Sequence, residues 1–112
     1  MKYKKILVID DEEDFQIIMQ NFFTPNGHQV FVAGTIKKGL EILDEEQPDV
    51  IFLDNNLPDG LGWESSEFIR EKYPEIELNL ISAYHVPKTS TSSFRILEKP
   101  LHFEEMNKLI EN

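Results

Sequence analysis

Residues 6–11 read Ile-Leu-Val-Ile-Asp-Asp, four aliphatic residues, three of them β-branched, that end abruptly in two carboxylates. A continuous apolar run of this length reads as a strand covered on both faces, the signature of a parallel sheet between layers of helices. The signature recurs, with Val50 to Leu53 ending in Asp54 and Ile96-Leu97 ending in Glu98-Lys99-Pro100. If the three runs are neighbouring parallel strands, Asp10, Asp11, Asp54 and Lys99 meet at one edge of the sheet. Carboxylates facing an ammonium at such an edge form a candidate site.

Working outward, the pattern changes period after the first run. From Asp14 to Phe23 the residues Phe15, Ile18, Met19, Phe22 and Phe23 follow helical spacing, and Pro25-Asn26-Gly27 ends that helix. Gln29 to Ala33 is a short second strand. Thr35 is an N-cap for a helix carrying Ile36, Leu40 and Leu43 and ending before Pro48. Asn55 to Gly62 is turn chemistry, and a helix from about Trp63 to Lys72 follows until Pro74 closes it. Leu78 to Ile81 reads as a fourth strand, Arg95 to Glu98 as a fifth, and His102 to Ile110 as a closing amphipathic helix. Strands alternating with helices imply right-handed crossovers and a doubly wound α/β fold, whose ligands bind at the carboxyl ends of the strands.

Composition narrows the function. A chain of 112 residues has room for one domain, so residues 1–112 are expected to be a single unit with no output domain attached. The formal charge of -10, from 21 acidic and 11 basic residues, argues against direct contact with nucleic acid or anionic membranes. With no cysteine, thiolate metal sites and disulfides are excluded. The apolar run after the basic start is too short for a signal sequence or a membrane span, so a cytoplasmic location is expected.

Converging carboxylates repel one another: a like pair about 4 Å apart costs about 4 kcal/mol at an effective dielectric of about 20. Three carboxylates, one lysine and one divalent cation sum to zero. A hard cation with oxygen ligands, in a chain with neither thiols nor paired histidines, points to Mg²⁺. A carboxylate held beside such a cation, opposite Lys99 and the hydroxyl of Ser82, can attack phosphorus to form an acyl phosphate. Asp54, on the middle run, is the natural nucleophile.

The stretches ILVIDDEED at 6–14, IFLDNNLPDGLGWE at 51–64, LISAY at 80–84 and EKPL at 98–101 resemble, in order and over nearly the whole chain, the receiver domains of two-component response regulators. The resemblance implies a flavodoxin-like five-stranded parallel sheet of order 2-1-3-4-5. It also implies Asp54 as phosphoacceptor, Asp11 as a direct Mg²⁺ ligand, Asp10 as a ligand acting largely through water, and the backbone carbonyl of Asn56 as a further ligand. Ser82 would hydrogen-bond the phosphoryl group and Lys99 would pair with it, before a cis peptide to Pro100. The donor would be a sensor histidine kinase or a histidine phosphotransfer protein, and the downstream partner a protein. Such a domain is not a turnover enzyme in the ordinary sense, but it catalyses its own phosphorylation and slow dephosphorylation.

The chain departs from the family between Ser82 and Lys99. Once Arg95 to Glu98 form the strand, 12 residues, Ala83 to Phe94, remain for a crossover. Pro87 and the run Thr89-Ser90-Thr91-Ser92-Ser93 disfavour a helix there, so the helix between the fourth and fifth strands is expected to be missing or rudimentary. The family's switch aromatic corresponds to Ile96, with Phe94 read as a core aromatic. His85 and His102 lack metal-ligand spacing and read as solvated. By the resemblance, Asn56 and Tyr84 flank the path of a hydrolytic water. Three function classes follow: a phosphoacceptor, a phosphorylation-independent binding module using an atypical output face, and a turnover enzyme or electron carrier of similar fold. The last is disfavoured. An aspartate-nucleophile phosphatase would need an acid two residues after its nucleophile, where Asn56 stands. A flavodoxin needs a hydroxyl- and glycine-rich phosphate loop where residues 10–14 are all acidic.

Overall fold

The structure is a computed structural model that describes residues 3–84 and 94–110, and for Phe103 and Leu109 only the backbone. Five parallel strands form one sheet: β1 (Lys5–Ile9), β2 (Gln29–Ala33), β3 (Val50–Asp54), β4 (Glu77–Ser82) and β5 (Arg95–Glu98), in the order β2-β1-β3-β4-β5. The helices are α1 (Glu13–Phe23), α2 (Ile36–Glu46), α3 (Ser66–Lys72) and α4 (Phe103–Ile110). The strand order expected from the sequence is the one observed, and β1 and β3 lie side by side at its centre with Ile9 opposite Leu53. The segment expected to lack a helix lies, apart from Ala83, Tyr84 and Phe94, outside the described residues.

Alternation along the strands builds two cores. Ile6, Val8, Phe52, Ile81 and Leu97 point to one face, where they pack with Phe15, Met19 and Phe23 of α1 and Met106 and Ile110 of α4. Leu7, Ile9, Ile51, Leu53 and Leu80 point to the other, against Leu43 of α2 and Ile69 of α3. Because both faces are covered, β3 is buried along its whole length. That is why its sequence is apolar without interruption until Asp54. Gly39 lets α2 approach closely, since a Cβ there would lie 2.5 Å from Cδ1 of Ile9.

The helix boundaries follow local chemistry. Thr35 caps α2 by accepting a hydrogen bond from the Lys38 N–H at 3.0 Å. After α1 a short 3₁₀ turn carries Pro25 and ends at Gly27, whose φ of 93° suits a residue without a side chain. Not every apolar residue of α1 is inward: Ile18 is half exposed, as is Ile17. The buried stripe of α1 is Phe15, Met19 and Phe23, spaced four apart, and Ile18 lies a quarter-turn off it. The helix expected from Trp63 starts as a 3₁₀ turn over Gly62–Ser65 before α3 begins.

Candidate functional site

The expected residues converge where the chain leaves the carboxyl ends of the strands. Asp10 follows β1 and is still tied to the sheet, its N–H donating to the carbonyl of Ala33 at 2.9 Å. Asp54 is the last residue of β3. Asp10 and Asp54 are buried, while Asp11 faces solvent. One carboxylate oxygen from each of Asp10, Asp11 and Asp54 can be chosen so that all lie within 4.8 Å of one another. Such a group of oxygens offers a place for a hard divalent cation.

Opposite the acids stands Lys99. Its N–H donates to the carbonyl of Ser82 at 2.8 Å, which continues the β4–β5 pairing one residue past the strand. The peptide bond from Lys99 to Pro100 is cis, as the resemblance implied. The Lys99 ammonium lies 2.5 Å from Oδ2 of Asp10 and 2.6 Å from Oε1 of Glu12. The ring of Phe15 is beneath it, with the centroid at 4.5 Å. Asp10 is thus held from both sides, since its Oδ1 accepts the Glu12 N–H at 2.8 Å.

These surroundings set the protonation energetics. Burial pushes the Asp54 carboxyl up to about 6, with the Asp10 charge adding to the rise and Lys99 opposing it. Burial also raises Asp10, although its hydrogen bonds to Lys99 and Glu12 pull the other way. For Lys99, burial favours loss of the proton, but hydrogen bonds to Asp10 and Glu12 and the charges of Asp10 and Asp54 prevail and hold it above the ordinary lysine value. The site without a cation carries excess negative charge that one ammonium does not neutralise.

The segment after Asp54 is a short antiparallel ribbon, Asn56–Leu57 against Gly60–Leu61, folded back on the strand end. Asn55 organises it: its carbonyl accepts the Gly62 N–H at 2.8 Å and its side chain accepts the Trp63 N–H at 3.1 Å. The Trp63 indole donates to the carbonyl of Leu53 at 3.1 Å. A Cβ on Gly62 would overlap the carbonyl oxygen of Asp54, so the close approach requires glycine. Asp59 reaches across to the start of α2 and accepts the N–H groups of Ile36 and Lys37, which hold its carboxyl below the ordinary aspartate pKa. Ser82 is buried at the end of β4, and its Oγ accepts the Tyr84 N–H at 3.0 Å. Tyr84 itself is largely exposed. His102 is exposed, and His85 lies outside the described residues. Phe94 packs against the second core with the Arg70 guanidinium 4.1 Å over its ring, and Ile96 packs there too. Phe94 is therefore a half-buried aromatic at the edge of the core it was expected to join.

Sequence reasoning missed Glu12, Asn55, Asp59 and Gln16, whose side-chain amide donates to the carbonyl of Asp10 at 2.6 Å. The contacts of Glu12 with Lys99 and of Asp59 with Ile36 and Lys37 join segments distant in the chain. Those of Asn55 and Gln16 span only a few residues but depend on how the chain folds back after each strand.

Residues 6–111 match the response regulator receiver domain family. The chain belongs to that family. Among curated relatives, this receiver domain is 30% identical to sporulation initiation phosphotransferase F of Bacillus subtilis, over 75% of this chain and 68% of that protein. It is 26% identical to the response regulator protein PilR of Pseudomonas aeruginosa over 98% of this chain, which spans only 26% of PilR. Its fold is that of the response regulator protein TrrA of Thermotoga maritima in complex with Mg²⁺-BeF, at a TM-score of 0.84, 24% identity and 96% coverage of both chains. Among the described residues of the receiver domain, no helix is long and apolar enough to cross a membrane.

Proposed function

We propose that Asp54 accepts a phosphoryl group from a partner histidine kinase or histidine phosphotransfer protein, and that the modified domain then binds a downstream protein differently. The observation that carries this reading is the placement of Asp54 at the end of the buried central strand, with Asp10 and Asp11 beside it. In this reading Asp10, Asp11, Asp54 and the backbone carbonyl of Asn56 hold Mg²⁺. When bound, the cation neutralises the acids and the developing charge on the phosphoryl oxygens. An Asp54 oxygen attacks phosphorus, the O–P bond forms as the N–P bond to the donor histidine breaks, and the imidazole leaves. The Ser82 hydroxyl donates a hydrogen bond to a phosphoryl oxygen, and Lys99 supplies positive charge to another. Tyr84 stands near the path of the water that later hydrolyses the acyl phosphate.

The likeness to a protein named as a phosphotransferase and to a fold solved with Mg²⁺-BeF supports this chemistry. The reading takes residues 1–112 as one receiver domain working in the cytoplasm. The test is the intact mass after incubation with acetyl phosphate and Mg²⁺. A gain of one phosphoryl group that EDTA and Asp54→Asn both abolish is expected. No added mass, with Asp54→Asn indistinguishable from the natural chain in partner pull-downs, would favour a phosphorylation-independent binding module.

A further inference from the structure

We propose that Glu12 is a positioning residue for Lys99, a releasable counter-ion that keeps the ammonium on the Asp10 side of the site until a phosphoryl group on Asp54 draws it across. The inference rests on the phosphoacceptor reading of Asp54. Among the described residues, the ion pairs of Lys99 are with Asp10 and Glu12, not with Asp54. The two partners differ in kind. The Asp10 side chain is fully buried and held by the Glu12 N–H, whereas the Glu12 side chain is 57% exposed and held at its tip by Lys99. An ion pair of that exposure shifts an equilibrium by at most about fivefold, so it biases Lys99 without trapping it.

Glu12 also stands at the N-cap of α1, yet its carboxylate makes no capping hydrogen bond. The first turn of a helix presents unpaired N–H groups and the positive end of the helix dipole, both favourable to a carboxylate. Glu12 has turned away from them toward Lys99. When Lys99 leaves, the helix end is an alternative partner within the same residue's reach, which lowers the cost of release. The ring of Phe15, one turn into α1, lies against the ammonium with its centroid 4.5 Å away and blocks movement in that direction. The resting site is therefore held by an ion pair that phosphorylation must exchange.

The test is titration with beryllofluoride at saturating Mg²⁺, read by the fluorescence of Trp63, the single tryptophan, whose indole bonds to the carbonyl preceding Asp54. Glu12→Gln is expected to tighten the apparent affinity about two- to fivefold. Glu13→Gln, which removes a nearby charge that does not touch Lys99, is expected to change it less than Glu12→Gln. In a Lys99→Met background, Glu12→Gln is expected to have no further effect. Equal tightening by both glutamines, tightening that survives in Lys99→Met, or unchanged or weaker binding by Glu12→Gln would overturn the proposal. If Lys99→Met binds too weakly to titrate, Mg²⁺-free unfolding midpoints of the natural chain, Glu12→Gln, Lys99→Met and the double variant report the pair directly. Coupling between positions 12 and 99 is expected, and additivity overturns it. A natural chain that gives no Mg²⁺-dependent beryllofluoride response overturns the phosphoacceptor reading and this inference together. A normal response with no effect of Glu12→Gln overturns this inference alone.

Discussion

Lys99 reaches Asp10 at 2.5 Å, although Asp54, whose carboxyl is the one pushed up to about 6, stands in the same cluster. The ammonium therefore neutralises the innermost acid and leaves Asp54 to share its proton with solvent or its charge with a cation. The two aspartates are made unequal by a single lysine. Asp10 is braced by the lysine and by the Glu12 N–H, whereas Asp54 at the strand end makes no ion pair with the ammonium among the described residues.

Removing Lys99 exposes that arrangement. In Lys99→Met the Asp10 carboxylate is buried without a counter-charge, and breaking a buried pair from one side costs about 3 kcal/mol. Uptake of a proton by Asp10 limits the loss. The unfolding midpoint in EDTA is expected to fall, and saturating Mg²⁺ to recover a larger part of the stability than it adds to the natural chain. A midpoint unchanged by the substitution would contradict the pairing.

The raised Asp54 value makes metal-free stability depend on pH. The folded protein holds this proton up to about pH 6, whereas an unfolded Asp releases it near its ordinary value of 3.8. The stabilising contribution is therefore fully present below that ordinary value and is lost as pH rises through about 6. In EDTA, Asp54→Asn is expected to be more stable than the natural chain at pH 7, with the gap narrowing as pH falls toward 5. Mg²⁺ should close the gap at pH 7 by favouring the ionised form of the natural chain. Thermal melts of both proteins across this range, with and without Mg²⁺, check the sign.

The close approach at Gly62 predicts a steric effect on the site. A methyl group there meets the Asp54 carbonyl and lies 3.0 Å from the side chains of both Leu53 and Leu57. Backbone cannot retreat as a flexible side chain can. Gly62→Ala is expected to cost about 1 to 3 kcal/mol of stability and to weaken Mg²⁺ binding, read by Trp63 fluorescence, because the ribbon carrying Asn56 must shift. A variant with normal stability and normal Mg²⁺ affinity would show that the ribbon gives way freely.

How legible the site was follows from how each residue is used. Val50 to Leu53 announces itself because a strand buried on both faces must be apolar throughout, and the first polar residue, Asp54, then marks the strand end. Asp10 and Lys99 are found by the same reasoning. Glu12 is not, because residues 10–14 are all acidic and only the folded position of Lys99 selects one of the three that follow the aspartate pair. Asp59 reads as a turn residue, and its second role as a cap on α2 exists only once the ribbon folds against that helix. Ile18 keeps the helical spacing yet stays half exposed, because α1 has more apolar residues than its buried stripe can hold. Asn79 stood unnoticed inside a strand pattern.

That last residue carries a prediction of its own. Asn79 is wholly buried in β4, its Oδ1 without a hydrogen-bond partner and its amide donating to the Ile51 carbonyl over a long 3.5 Å. It shares its face of the sheet with Ile81 and sits in register with Phe52, so its surroundings are those of an apolar core. A buried acceptor left unsatisfied costs about 1 to 3 kcal/mol, and the weak amide contact offsets only a part of that. Valine has nearly the volume of asparagine, suits a strand, and brings no polar atom. Asn79→Val is therefore expected to stabilise the domain by about 1 kcal/mol and to raise the unfolding midpoint by about 4 to 8 °C. Because position 79 lies on the far part of β4 from Ser82, phosphorylation by acetyl phosphate should proceed at the natural rate. A lower midpoint would mean that the amide holds β3 and β4 together more strongly than its long hydrogen bond suggests, and that the orphaned oxygen is the smaller effect.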